Sequence, residues 1–365
     1  MFIPIQHFSK QQTTTLKGLG ILLIVLHNFY HNLTPVIGEN EFSFSEDIFL
    51  NYYHVLQFSP ENVLKVLFSY FGHYGVQVFI FFSSYGLTRK YDQEPIIMSQ
   101  FLVGWIKKFY LSFLLCIAFY MVLGLVKAEF LTNERIFYWD SLLWKVLLIS
   151  NFIPGQALMP VGPWWFIAFI FQVYVLFPWL LKWYQKLGAK FLVLVALLGI
   201  LLEFQFNAYL ITQHLNINYT IFGHLPVLGL GMFFAKQERI DSIILSVGVS
   251  LGLGILLLAN FERAAWVLSN GALMVVGLVV STKLFKMLSS WSLIEKCLLF
   301  YGKLSFHLFL VNGFLRSPFH VVAESYHFWW LDNLAALVFL LFSTLCAIFL
   351  LRLDNKLRAI FCKAA

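Results

Sequence analysis

The side chains most able to do chemistry lie in the first apolar segment of the chain, TTTLKGLGILLIVLHNFYHN. Lys17 stands at the start of this segment, and His27, Asn28 and His31 stand near its end. An ionisable or amide group inside a bilayer is costly, so it indicates a functional site. Lys17 and Asn28 are about three helical turns plus 20° apart, and they therefore share one stripe about 16 Å long. The stripe predicts chemistry that connects one membrane face with the membrane interior.

The histidines of this segment suggest proton transfer. An imidazole can accept the proton of a hydroxyl group, whereas an asparagine can orient the hydroxyl but cannot take its proton. His27 is therefore the candidate general base, and His73 falls at a similar depth in the second apolar segment. His31 follows His27 by one helical turn and shares its face approximately. No third ligand is evident in the sequence, so we expect no metal site.

The composition places these residues in a membrane protein. Hydrophobic residues make up 60% of the chain and charged residues 12%, against about 45–50% and 25% in soluble proteins. The sequence predicts an all-α bundle of ten transmembrane helices in a single domain, residues 1–365. A spanning helix requires about 20 apolar residues. The predicted spans are 16–34, 63–88, 101–126, 164–181, 191–206, 221–235, 242–260, 265–282, 297–315 and 332–351.

The basic residues set the predicted orientation. With ten spans and both termini in the cytoplasm, most of the 25 Lys and Arg residues lie at the inner face, as the positive-inside rule requires. The segment 142–160, which Asn151, Pro154 and Pro160 interrupt, then stays on the outer side. The basic residues left elsewhere are Lys65, Lys127, Arg135, Lys145, Arg263 and Arg316. The net charge of +7 thus reflects topology, and we do not expect nucleic-acid binding.

Two outer features are open to more than one interpretation. The loop 35–62 is acidic and aromatic, with Glu39 and Glu41 near its start, and it could contact a carbohydrate or only cap the bundle. Glu203 is an isolated carboxylate late in the fifth span. We interpret it as an interfacial acid that reaches toward water.

Four segments together resemble the bacterial membrane-bound acyltransferase family 3. LKGLGILLIVLHN is similar to the family's basic residue followed, after ten residues, by a histidine. GHYGVQVFIFFSSYGL resembles its GV-x-x-F-x-x-SG helix, and GPWWFIAFIFQVYVLFPWL resembles its WF…Y…P helix. YGKLSFHLFLVNGF resembles its G-x-x-S-Y-x-x-Y-L-x-H segment. The four stand in the family's order and cover nearly the whole chain.

The resemblance implies an integral inner-membrane enzyme of a bacterial cell. Members of this family mostly transfer an acyl group from cytoplasmic acyl-CoA to sugars of cell-surface polysaccharides. For this chain we expect the acyl group to be acetyl. Lys17 and Lys108 would bind donor phosphates, whereas Ser305 and Asn312 would line the substrate site. His27, with His73, would deprotonate the acceptor hydroxyl. The expected partners are acyl-CoA, a glycan and membrane lipid, with no metal.

The chain departs from the family pattern at several positions. The histidine of the first segment is Asn28, with an imidazole at His27 instead, and the late histidine is Asn312. The basic residue is Lys17 where arginine is commoner, which loses the bidentate guanidinium. Of the family's Arg-x-x-Arg pair before the third span, only Lys108 keeps a charge.

Two further functions are compatible with the sequence. The chain could be a non-catalytic exporter of a polysaccharide or lipid-linked sugar, since a polar stripe lines a path as readily as an active site. It could also be a membrane scaffold within a glycan synthase complex. An enzyme leaves an ester on the glycan, an exporter changes only the amount outside, and a scaffold tolerates changes in the polar cluster.

Overall fold

The described residues form a bundle of helices and one two-stranded sheet. A computed structural model describes the backbone of residues 2–4, 7–131, 138–289 and 291–364, and the side chains of 7–125, 138–280 and 291–360. Arg135, which the charge distribution predicts to lie outside, is not among the described residues. The helices are α1 Lys10–Tyr30, α2 Glu46–Phe58, α3 Val63–Phe71, α4 Tyr74–Tyr91, α5 Met98–Trp105, α6 Leu111–Leu131, α7 Trp139–Val146, α8 Trp165–Leu187, α9 Ala189–Thr212, α10 Leu225–Lys236, α11 Ser242–Leu258, α12 Arg263–Ser289, α13 Ser292–Leu315, α14 Ser317–Tyr326 and α15 Trp329–Ala364.

The predicted fold class, an all-α membrane bundle, is confirmed. Among the described residues, seven helical stretches are long and apolar enough to cross a membrane, and two shorter apolar helices, Ile221–Lys236 and Ser242–Leu258, accompany them. The seven are Pro60–Tyr91, Met98–Leu125, Gly162–Leu187, Ala189–Thr212, Arg263–Val280, Ser292–Leu315 and Trp329–Ile360. The count of ten and the cytoplasmic position of both termini stay predictions.

The structure also contains a small sheet and shows the form of the segment 142–160. Strand β1, Phe2–Pro4, pairs antiparallel with β2, Arg239–Asp241, in a two-stranded sheet. The segment 142–160 contains α7 and a short 3-10 helix, Ser150–Phe152, and no helix of spanning length. Its prolines and its glycine interrupt regular hydrogen bonding, as the sequence indicated.

Helix α1 begins and ends at residues suited to those positions. Ser9 caps its start: the Ser9 hydroxyl accepts from the Gln12 N–H at 3.1 Å, and the Gln12 side chain accepts from the Ser9 N–H at 2.9 Å. This capping box satisfies two backbone donors that a helix start leaves free. The apolar residues Ile21, Val25 and Phe29 are fully buried. Helix α1 packs against α13, α4, α3 and α15, and therefore occupies the interior of the bundle.

Glycines permit the close approach of α1 to its neighbours. A Cβ atom on Gly18 would overlap the Leu298 carbonyl of α13, and one on Gly302 would overlap the Thr14 carbonyl of α1. On the other side, a Cβ atom on Gly75 of α4 would overlap the Gly20 carbonyl. Small residues at such crossings let helix backbones touch within a membrane. The depth at which α1 carries its polar residues is thereby fixed.

We expect the Gly18→Ala substitution to destabilise the protein by about 1–3 kcal/mol, the usual cost of overpacking. Gly254→Ala on α11 is the matched control, because a Cβ atom there meets nothing within 4 Å. Thermal unfolding of both variants in detergent measures the difference. Equal melting temperatures for the two variants would contradict the close α1–α13 contact.

Candidate functional site

His27 is held rigidly at the centre of the candidate site. Its side chain is 1% exposed, and its Nδ1 lies 3.1 Å from the Ser69 carbonyl oxygen and 3.3 Å from that of Phe68. A carbonyl oxygen only accepts hydrogen bonds, so Nδ1 carries a proton and donates. Gly72, at the end of α3, lets this backbone approach, because a Cβ atom there would overlap the His27 side chain. The second ring nitrogen, Nε2, is thus directed to the opposite side.

Glu39 faces that second nitrogen. Glu39 Oε2 lies 2.9 Å from His27 Nε2, and Glu41 Oε2 lies 3.7 Å from the same atom. The short distance requires a proton between the nitrogen and the carboxylate, because two lone pairs would repel. Burial opposes the charge of Glu39, but the charges of His31 and His27 and the hydrogen bond from His27 outweigh it and lower the pKa of Glu39. Burial, with the charge of Glu39, raises the pKa of Glu41 well above its ordinary value.

No pattern in the sequence indicated this pairing, because distant residues place the loop. The Trp266 indole donates to the Asn40 carbonyl at 2.9 Å, and Asn216 Nδ2 donates to the Phe42 carbonyl at 2.8 Å. The Phe42 ring packs on Trp165, with ring centroids 5.4 Å apart. The start of the acidic loop is therefore fixed over the end of α1, whichever of its two predicted roles it has.

Glu203 supports the same loop, and our interpretation of it is wrong. It is 4% exposed, and it accepts a hydrogen bond from Asn218 Nδ2 at 2.8 Å. The same amide nitrogen lies 3.4 Å from the Phe42 carbonyl. Glu203 is thus a buried acceptor that orients Asn218 and does not reach toward water, because α9 turns it inward.

His31 stacks on His27, which agrees with the prediction that the two residues share approximately one face of α1. The ring centroids are 4.5 Å apart, and His31 Nδ1 donates to the His27 carbonyl at 2.6 Å. His31 Nε2 lies 3.8 Å from Glu39 Oε2. The ligand atoms of His27, His31 and Glu39 all lie within 4.8 Å of one another, so the three residues could hold a metal ion. The third ligand that the sequence did not reveal is Glu39.

His73 lies beside His27, as expected from their similar depth. Its ring centroid is 5.5 Å from that of His27 and 4.0 Å from that of Tyr74. His73 is 7% exposed, and within the described structure its Nδ1 is buried with no hydrogen-bond partner. An unpartnered buried nitrogen can receive a hydrogen bond from a ligand.

The two asparagines at histidine positions contact each other. Asn28 Nδ2 donates to Asn312 Oδ1 at 2.9 Å, although the residues are 284 positions apart. Asn312 Nδ2 in turn donates to the Phe309 carbonyl at 2.6 Å, and an Arg316 nitrogen donates to the Asn28 carbonyl at 2.7 Å. The amide pair links α1 to α13 beside the imidazole cluster. The two departures from the family pattern are therefore one structural feature.

These residues surround a small cavity, which we call the histidine cavity. Its volume is about 90 Å³. It is lined by Ile24, His27, Asn28, His31, Glu39, Glu41, Phe42, His73, Val76, Leu158, Gly162, Pro163, Trp165, Phe309 and Arg316. Three imidazoles, two carboxyl groups, one amide and one guanidinium thus line one space, which suits a polar ligand whose proton must be removed.

A larger cavity lies at the other end of α1, and we call it the lysine cavity. Its volume is about 640 Å³, and Lys17, Lys90 and Lys108 line it together with aromatic residues that include Trp105 and Tyr174. Lys17 and Lys108 were predicted to act together, and the structure brings them to one space. A stretch of π-helix, Ile106–Tyr110, carries Lys108. Ten residues of helix separate Lys17 from His27, which is about 15 Å.

Ser305 lies away from the histidine cavity. Its hydroxyl donates to the Gly302 carbonyl at 2.9 Å, one turn earlier on α13. Seven residues, or about 10 Å of helix, separate it from Asn312. The structure therefore does not bring these two predicted substrate-binding residues together.

We expect the amide pair to couple Asn28 and Asn312 energetically. In a double-mutant cycle with Asn28→Ala and Asn312→Ala, the interaction energy should be about 0.5–1.5 kcal/mol, the value of one buried hydrogen bond. The cycle is measured by thermal unfolding. As a control, the effects of Asn28→Ala and Thr212→Ala on the free energy of unfolding should be additive, because Thr212 is exposed. Additivity of the first pair would contradict the contact.

One comparison with known proteins identifies the family of the chain. A family model described as "Acyltransferase domain", that of acyltransferase family 3, matches residues 14–353. No curated protein and no solved structure gives a significant match. The matched region contains Lys17, both cavities and the Asn28–Asn312 pair. The family resemblance is confirmed, and the chain belongs to the membrane acyltransferases of family 3.

Proposed function

We propose that the protein transfers an acetyl group from cytoplasmic acetyl-CoA to a hydroxyl of a cell-surface glycan, within the inner membrane of a bacterial cell. The observation that carries the proposal is the pair of cavities at opposite ends of α1. One end has cations suited to a phosphorylated donor, and the other has bases suited to a hydroxyl acceptor. The expected partners are acyl-CoA, the glycan and membrane lipid, and no nucleic acid.

The lysine cavity suits the CoA end of the donor. Three ammonium groups, those of Lys17, Lys90 and Lys108, line one space large enough for a nucleotide-sized group. Ammonium groups bind phosphates as point charges. Lys17 lies on the same helix as His27, and the pantetheine arm would extend along this helix from Lys17 toward His27.

The histidine cavity suits the acceptor hydroxyl. His27 cannot rotate freely, because its Nδ1–H is bound to the Ser69 carbonyl. The proton shared between His27 Nε2 and Glu39 passes to the Glu39 carboxylate when the acceptor enters, which frees the lone pair of Nε2. An acceptor hydroxyl beside the ring can then give its proton to Nε2. The hydroxyl oxygen then forms a bond to the thioester carbonyl carbon, the C–S bond breaks, and the CoA thiolate takes the proton from His27.

The remaining polar groups support this step. His73 can bind the acceptor through its unpartnered Nδ1. Asn28 lines the same cavity and orients substrate, while Asn312 fixes Asn28. The guanidinium of Arg316, which also lines the cavity, lies where it can stabilise negative charge on the carbonyl oxygen. Ser305 lines neither the lysine cavity nor the histidine cavity, and it has no part in this mechanism.

We propose that the reaction requires no metal. A proton shared between His27 Nε2 and Glu39 Oε2 already satisfies both groups at their separation of 2.9 Å. The clustering of His27, His31 and Glu39 makes this a testable point. A stoichiometric metal ion in the purified protein, lost together with activity on chelation, would overturn it.

We expect His27→Ala and Glu39→Gln each to lower glycan acetylation about 10²–10⁴-fold, the usual contribution of general acid–base catalysis. His54→Ala is the matched control, because His54 is exposed on α2. Mass spectrometry of purified surface glycan measures the ester, with the protein level checked by immunoblot. Unchanged acetylation in His27→Ala at normal protein levels would contradict the assignment of the base.

One observation favours a second function, that of a glycan exporter or a membrane partner of a glycan synthase. Asn28 and Asn312 are amides that bind each other, and an amide cannot take part in proton transfer. The same mass spectra separate the possibilities. Loss of the ester on gene deletion supports the enzyme, whereas unchanged glycan mass with less glycan outside supports the exporter or partner.

Two glycines allow the cavities to be blocked separately. Gly86 lines the lysine cavity and Gly162 lines the histidine cavity, and a Cβ atom on either meets nothing within 4 Å. We expect Gly86→Trp to weaken acetyl-CoA binding, and Gly162→Trp to leave that binding intact while abolishing transfer to the glycan. Titration calorimetry and glycan mass spectrometry measure the two effects. Weaker donor binding in Gly162→Trp than in Gly86→Trp would contradict the assignment of the cavities.

A further inference from the structure

The end of helix α15 contacts the π-helix that carries Lys108. The Arg358 side chain, near this end, donates from Nη2 to the Lys108 carbonyl at 3.0 Å, and its Nη1 donates to the Lys107 carbonyl. The guanidinium thus binds two successive carbonyls of the π-helix Ile106–Tyr110, about 250 positions earlier in the chain. The acyl-transfer mechanism assigns no role to this contact.

Asp354 and Ser112 complete the contact. Asp354, one helical turn before Arg358, accepts from Arg358 Nε at 2.8 Å. The Ser112 hydroxyl donates to the second Asp354 oxygen at 2.8 Å and accepts from Arg358 Nη2 at 3.1 Å. His307 Nε2 lies 3.4 Å from the same Asp354 oxygen. Asp354 and Ser112 are buried, and we call Ser112, Asp354 and Arg358 the α15 clamp.

Arg358 uses the shape of its guanidinium as well as its charge. Its three nitrogens reach four acceptors, which belong to Asp354, Lys107, Lys108 and Ser112. A guanidinium presents five N–H donors in a planar fork, whereas an ammonium is a compact point charge on a flexible stem. The buried Asp354 carboxylate in turn requires a charged partner. Arginine is therefore the side chain that this geometry requires.

The α15 clamp fixes the direction in which the π-helix presents its side chains. A π-helix has i→i+5 hydrogen bonds and is usually a single turn within an α-helix, often at a functional site. Successive residues of an α-helix are about 100° apart, so loss of the extra residue in this turn would rotate α5 relative to α6 by about that angle. The clamp binds two carbonyls inside the turn and Ser112 in the first turn of α6, and it therefore opposes this rotation.

That direction decides which side chains line the lysine cavity. Trp105, Lys108 and Phe109 line it, whereas within the described structure Lys107 does not. Lys108 Nζ lies 4.8 Å from the centroid of the Phe109 ring. A rotation by about 100° would replace Lys108 at the cavity wall by a neighbouring side chain. Arg358 is not among the described residues that line the cavity, so its effect on a bound donor must pass through the π-helix.

We propose that Arg358 is a positioning residue for the donor: through the π-helix it holds Lys108 toward the lysine cavity, where the ammonium group binds a phosphate of acyl-CoA. This inference rests on the proposed function and adds the residue that sets the geometry of its donor site. Lys108 makes the phosphate contact, and Arg358 fixes the direction of Lys108. The pantetheine arm with its acetyl group carries no phosphate, so its own binding is independent of the clamp.

The substitution Arg358→Lys tests the geometry, because it keeps the charge and removes the planar fork. With the full-length protein in nanodiscs, titration calorimetry should show that the Kd for acetyl-CoA rises about tenfold, the loss of about one charge-assisted hydrogen bond. The Kd for S-acetylpantetheine, which lacks the phosphates, should not change. Arg352→Lys, at an exposed position on the same helix, is the matched control and should change neither Kd.

A double-mutant cycle tests whether Arg358 acts through Lys108. Lys108→Gln removes the ammonium group and should itself raise the Kd for acetyl-CoA. In that background, Arg358→Lys should change this Kd by less than about twofold, because the two residues act as one unit. Ser112→Ala is a milder variant, since it removes one acceptor of Arg358 and keeps every charge, and it should also weaken acetyl-CoA binding. Additive effects of Arg358→Lys and Lys108→Gln would overturn the proposal.

Hydrogen–deuterium exchange reports on the α15 clamp without any bound donor. Arg358→Lys should speed exchange of the backbone amides of residues 106–112, and Arg352→Lys should not. Unchanged exchange, or an equal rise in the Kd values for acetyl-CoA and S-acetylpantetheine, would overturn the proposal. Faster exchange with unchanged acetyl-CoA binding would overturn the positioning role and leave the proposed function standing. Failure of the unsubstituted protein to bind acetyl-CoA would contradict the proposed function and, with it, the donor role of Arg358.

Discussion

Polar side chains within a membrane bundle must find their hydrogen-bond partners in the protein, because the surrounding hydrocarbon offers none. His27 and Asn28 of helix α1 are two such side chains, and three other parts of the chain supply their hydrogen-bond partners. The end of α3 offers the Ser69 carbonyl, the acidic loop offers Glu39, and α13 offers Asn312. Each partner comes from a different part of the chain. The bundle is thus organised around the polar residues of α1 as well as around its apolar core.

The same helix joins the two ends of the proposed reaction. About 15 Å of helix separates Lys17 from His27, and glycine contacts with α13 and α4 fix α1 against sliding. The lysine cavity and the histidine cavity are therefore held at a constant separation. In the proposed reaction an extended pantetheine arm would cover that separation, and Ile21 and Val25, between the two cavities, are fully buried.

The amide pair gives a physical account of the two departures from the family pattern. An amide has both a donor and an acceptor, so Asn28 can donate to Asn312 Oδ1, and Asn312 to the carbonyls of its own helix, without any proton transfer. The imidazole stands one residue earlier, about 100° around the helix. This rotation directs it to α3 and the acidic loop and away from α13. The structure thus replaces an imidazole that would face α13 with one that faces Glu39.

The sequence by itself determined the all-α membrane class and the family, because runs of apolar residues and local spacing act over one segment at a time. It also determined that Lys17 and His27 lie on one helix and that His31 shares the face of His27 approximately. Only the tertiary structure decided that Glu39 faces His27, since Trp266 and Asn216 place that loop from more than 170 residues away. The Asn28–Asn312 contact and the burial of Glu203 were likewise decided there. Such contacts depend on how the helices pack. Packing brings together residues that are far apart in the sequence, and no local pattern indicates that they will meet.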